Sequence, residues 1–115
     1  MLTIRSQQMD AILQEQRVEK ALRHVCEFFP AECSQLGQDK LEKTVRSALE
    51  RAASYGFHHL RDALQFLDLV CVFGPDFERN LPWAREILEE RSAERPHFRA
   101  TRLYQRALAT LRARS

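Results

Sequence analysis

Glycine and proline are scarce in this chain, at three and four residues of 115. So few breakers leave little room for the tight turns of an all-β sandwich or barrel. Excess charge of one sign is missing too. The net charge is only +2 and 44% of the residues are apolar, which excludes the highly charged, weakly hydrophobic composition of a disordered chain. No uncharged run approaches the ~18 apolar residues of a membrane-spanning helix. Cysteine is sparse and odd in number, at Cys26, Cys33 and Cys71, with no framework of spacings. That argues against a disulfide-stapled secreted domain and for three reduced thiols in a cytosolic protein, two of them in the core. The first ten residues contain no apolar stretch of the secretory kind. Lysine is also rare, with three against 15 arginines, which reads first as composition bias.

What is present is helical periodicity. The length suits one domain, residues 1–115, able to bury roughly 65% of the surface its unfolded chain exposes. Residues 6–29 read as a first helix. Met9, Ile12 and Leu13 open its apolar stripe, and Val18, Ala21, Leu22, Val25, Cys26 and Phe29 continue it. The polar run Gln14-Glu15-Gln16-Arg17 thins that stripe, and Pro30 ends the helix. A short helical turn over 30–36, closed by Gly37, leads to a second helix. Asp39 and Glu42 have the spacing of a capping box at its start. Tyr55-Gly56-Phe57 reads as a Schellman stop. The third helix, about 60–73, is apolar nearly all round and belongs at the centre of a bundle. A strand over 69–73 is the rival reading of that segment. Pro82 and Pro96 each suit the first position of a further helix, over 83–90 and about 96–113. The expected fold is all-α, a compact single-domain bundle of four to five helices with short connections.

The near-neutral total hides a division. Residues 1–90 carry 11 basic and 15 acidic side chains, a balance of −4, whereas residues 91–115 carry seven and one, a balance of +6. Arg91, Arg95, Arg99, Arg102 and Arg106 recur at three- and four-residue steps, which keeps them on one face of a helix. Pro96 leaves the place of Arg91 in that helix open. Such a comb grips carboxylates or phosphates. An acidic protein partner, a solvated face and a contact with the chain's own acidic body are all consistent with it. A nucleic-acid site would call for a more basic chain with interleaved aromatics or a recognition motif. Phe77 and Trp83, beside prolines in the 75–84 connection, suit either lids on the core or anchors of a protein interface.

Other constellations point away from chemistry. His24, Cys26 and Cys33 lack a metal-ligand spacing, because residues two apart on a helix point apart and no Cys-x-x-Cys accompanies them. His58 and His59 sit at a helix start and read as surface or capping residues. No Ser/His/Asp set, Walker loop or glycine-rich phosphate loop occurs. No cofactor or catalytic residue is therefore expected.

Several phrases in order carry a resemblance. They are Ile4-Arg5 with Gln8-Met9, Phe29-Pro30, Ala53-x-Tyr55-Gly56-Phe57, Leu67-Asp68-Leu69 with Phe73-Gly74-Pro75-Asp76-Phe77, Pro82-Trp83-Ala84 with Ile87-Leu88, and Arg102-Leu103-Tyr104. Their order over nearly the whole chain resembles small helical proteins of Gram-negative bacteria encoded beside type VI secretion spike, PAAR-type and effector genes. His58 departs from the pattern, standing where a small capping residue such as threonine is expected. The resemblance supplies no catalytic residue. It implies a non-enzymatic, cytoplasmic adaptor or co-chaperone that binds an effector, adaptor or spike-tip protein. The expected contacts are Arg95, Arg99, Arg102, Arg106, Phe77 and Trp83. A cytosolic immunity protein that neutralises a cognate toxin is the alternative, and a nucleic-acid-binding protein a further one. An apolar face left over from the bundle would allow a homodimer.

Overall fold

A computed structural model describes residues 6–90 and 95–114, with side chains from Gln8 onward. Among these residues all regular structure is helical: α1 (Ser6–Phe28), α2 (Pro30–Ser54), α3 (Leu60–Phe73), α4 (Phe77–Asn80), α5 (Pro82–Glu89) and α6 (Pro96–Arg114). The all-α expectation holds. The extra element is α4, one turn within the connection that the sequence marked before Pro82. The chain divides into two compact units, Met1–Arg46 and Ser47–Ser115, each described by itself.

The first unit is an antiparallel helical pair with its corner at Phe29. Gly37 breaks α2 early, with φ 76° and ψ 164°, so residues 30–36 form a short helical piece of their own. A positive φ is cheap only for glycine, which is why the stop falls there. Burial on α1 begins at Val18 and continues through Ala21 and Val25. Leu41 and Val45 are the matching buried positions on α2. Arg46 links the two helices, donating to Glu42 at 2.9 Å on its own helix and to Glu15 at 2.9 Å on α1. That hydrogen bond holds the Glu15 carboxyl below the usual carboxylate range, while the two glutamates raise the Arg46 guanidinium further. A disulfide joins Cys26 to Cys33 across the corner, with the Cα atoms 5.3 Å apart. This corrects the reading of three reduced, partly core thiols. The break at Phe29–Pro30 turns the chain back and brings two cysteines seven residues apart within bonding reach. Cys26 is exposed, and Cys33 and Cys71 are half-buried.

The second unit opens with the end of α2. Phe57 N–H reaches Ala52 O and Gly56 N–H reaches Ala53 O, each at 2.9 Å, with Gly56 at φ 90°. These are the two bonds of the Schellman motif, and the apolar residue after the glycine, Phe57, is 1% exposed. α3 and α6 run parallel: His97 at the start of α6 meets Asp62 at the start of α3, and Arg114 at the end of α6 lies over Phe73 at the end of α3. α5 runs the opposite way, with Trp83 beside Phe73 and the Leu88 carbonyl beside Arg99. The core of this unit is an aromatic file. Phe57, Phe66 and Phe77 are fully buried, with ring centroids 6.4 Å and 5.0 Å apart along the series. Ala63, Leu67, Ala84, Leu88, Ala100, Leu103 and Ala107 complete it. α3 supplies six buried positions, but Val72 on its last turn is exposed.

Candidate functional site

The arginine comb on α6 separates into different environments. Arg99 turns inward. Its Nη2 donates to the Tyr55 carbonyl, and its Nη1 lies 3.4 Å from the carbonyls of both Leu88 and Glu90. These carbonyls close α2 and α5, where the last turn of a helix has acceptors without intrahelical donors. One guanidinium therefore caps two helix ends, and its carbon sits 5.6 Å from the Phe57 ring centroid. Arg99 is thus a half-buried internal clasp, engaged by the chain's own carbonyls. Arg102 pairs with Glu90 at 2.7 Å, both half-exposed. Arg95 and Arg106 remain exposed. Arg91 lies outside the described residues, as do Ile4 and Arg5.

Of its two expected readings, Phe77 takes that of the core lid, which corrects its place among the partner contacts. At 1% exposure against Phe66 it is a core lid, out of reach of any partner. Trp83 is half-buried and meets Phe73 edge-on at 5.8 Å. His58 and His59 are exposed, and the N-cap of α3 falls at His59, whose side chain makes no cap bond. His24 meets Phe28 in a tilted ring contact at 4.9 Å.

Two buried carboxylates escaped sequence reading. Asp62, in the first turn of α3, meets His97 Nδ1 at 3.1 Å. Glu78, in the first turn of α4, receives Arg51 Nη1, which also donates to the Pro75 carbonyl and stacks over Phe66 at 5.8 Å. Tyr55 borders this cluster. Its hydroxyl is pushed up, chiefly by burial and then by the charges of Glu78 and Glu89. Their side-chain partners lie 35 and 27 residues away in sequence, and each carboxyl also sits in the first turn of its helix.

The largest departure concerns α1. Residues 8–16 are all exposed, so Met9, Ile12 and Leu13 form an apolar stripe over open solvent at 39%, 52% and 49% exposure. Sequence periodicity placed this stripe in the core. Further exposed apolar side chains are Phe28, Leu36, Phe98, Leu108 and Leu111. In the first unit a groove of about 360 Å³ is lined by Leu22, Arg23, Cys26, Cys33, Gln38 and Leu41. Among the described residues no group of three or more His, Cys, Asp or Glu could hold a metal ion, and no helix is long and apolar enough to cross a membrane. No family model, curated protein or solved structure matches the chain.

Proposed function

We propose that the chain is a non-enzymatic protein-binding accessory factor, a cytoplasmic adaptor or co-chaperone for a type VI secretion effector or spike-tip protein. The observation that carries the binding role is the bare stripe of α1. Met9, Ile12 and Leu13 sit at i, i+3 and i+4, the anchor spacing of a helix that lies in a partner's groove. Contiguous apolar side chains at helical spacing on an exposed face mark a contact surface more than single exposed ones do. The second contact is the exposed basic pair of Arg95, just before α6, and Arg106 on α6, a helix without a single Asp or Glu. The secretion context rests on the ordered sequence phrases alone.

Affinity capture with the proteins encoded beside this chain tests the reading. Ile12→Asp with Leu13→Asp removes capture and leaves the thermal melt within ~0.5 kcal/mol of wild type, because these side chains support no core. Arg106→Glu weakens capture less. A chain that captures none of those proteins refutes the adaptor reading. Rescue of cells that express a neighbouring toxin assigns it an immunity role.

A further inference from the structure

The Cys26–Cys33 disulfide lines the groove in the first unit together with Leu22, Arg23, Gln38 and Leu41. We propose that this groove is a modification site, at which a small anionic thiol of the glutathione class exchanges with the disulfide and is captured on Cys26. Three observations carry the assignment. The two cysteines differ in exposure, Cys26 being exposed and Cys33 half-buried, and exchange favours the cysteine an incoming thiolate can reach. The groove offers volume beside the bond, which a bridge lying flat on a helix surface lacks. Arg23, one turn before Cys26 on α1 and exposed, places a cation in the groove's lining where the carboxylates of such a thiol would lie.

The step is a displacement at sulfur. The incoming thiolate attacks Cys26 Sγ and a new S–S bond forms between them. The Cys26–Cys33 bond breaks, and its electron pair leaves on Cys33 Sγ, which takes a proton from water. The protein disulfide is the oxidant and the small thiol the reductant, so no further redox partner is required. Cys33 reverses the step by attacking the mixed disulfide, and a second thiol completes the reduction.

The full-length oxidised chain is treated with reduced glutathione, quenched in acid, alkylated and mapped by peptide mass. Glutathione appears on Cys26, and the alkyl group on Cys33. Arg23→Glu slows attack by glutathione on the order of fivefold, the worth of an exposed charge contact. The same variant slows 2-mercaptoethanol, whose attacking thiolate carries no carboxylates, by less, whereas a merely structural role for Arg23 would slow both thiols alike. Cys33→Ser, which cannot resolve the adduct, retains glutathione on Cys26 when given oxidised glutathione. An adduct on Cys33 or Cys71 overturns the proposal. So does equal slowing of both thiols by Arg23→Glu, or a Cys33→Ser chain that takes up no glutathione.

Discussion

Arg99→Met is the sharpest test of how the second unit holds together. Methionine keeps most of the length and apolar stem of the side chain, so the substitution removes the guanidinium with little loss of packing. Three carbonyls then lose a donor. A hydrogen bond from a charged group contributes about 1.5–3 kcal/mol, which is assigned to the contact with Tyr55. The two contacts at 3.4 Å stand at the outer limit of hydrogen bonding and together add about 1 kcal/mol. The Phe57 ring adds roughly 0.5–1 kcal/mol. Against this, Nε is buried without a partner, and its removal returns about 1 kcal/mol. The net loss is about 2–4 kcal/mol, or roughly 10 °C in melting temperature for a chain of this size. Urea and thermal melts of Arg99→Met, with Arg99→Lys and Arg106→Met alongside, measure it. Lysine, a single point donor without the fork, recovers about half the loss. Arg106→Met, on the exposed side of the same helix, changes stability by less than ~0.5 kcal/mol. If Arg99→Met melts with the wild type, or Arg106→Met costs as much, the two-helix clasp is refuted.

Further outcomes follow from the same structure. Gly56→Ala forces a side chain into φ 90° and sets its Cβ 3.2 Å from Pro96 Cγ, so a loss of about 1–2 kcal/mol is expected in urea. Phe77→Ala empties the end of the aromatic file and costs about 3–5 kcal/mol, and a loss below 1 kcal/mol would mean that the ring is solvent-facing. Glu15→Gln is less stable than wild type at neutral pH. Because the folded carboxyl is held below its unfolded value, the advantage of wild type is present above the unfolded pKa and vanishes as pH falls through the folded one. Melts of both proteins that stay equally separated in acid would exclude the Arg46 contact as the cause.

Local rules in the sequence located the helices. The third helix is observed at Leu60–Phe73, on its expected bounds, and the Gly56 stop forms the expected pair of bonds, because apolar spacing and a positive φ act within a few residues. The site was less legible. Three- and four-residue steps put Arg95, Arg99, Arg102 and Arg106 on one side of a helix. They do not say that the carbonyl ends of α2 and α5 lie against Arg99. The stripe of α1 shows the same limit from the other direction. Met9, Ile12 and Leu13 have a core pattern, and only the absence of an opposing surface makes them exposed. The polar run 14–17 that thins the stripe was the available signal, since burial starts just after it at Val18. Asp62 and Glu78 gave no signal, their partners being distant in sequence.

The parallel course of α3 and α6 has an electrostatic consequence. Each helix carries partial positive charge at its first turn and partial negative charge at its last, and parallel neighbours bring like poles together. At the paired starts lies the buried Asp62 carboxylate, an anion close to both positive poles. At the paired ends lies the Arg114 guanidinium, a cation between the last turn of α6 and the last residue of α3. The unit thus carries a counter-charge at each end of an arrangement whose dipoles would otherwise repel. Exchanging the signs, with a cation for Asp62 and an anion for Arg114, would place a like charge at each end of the pair.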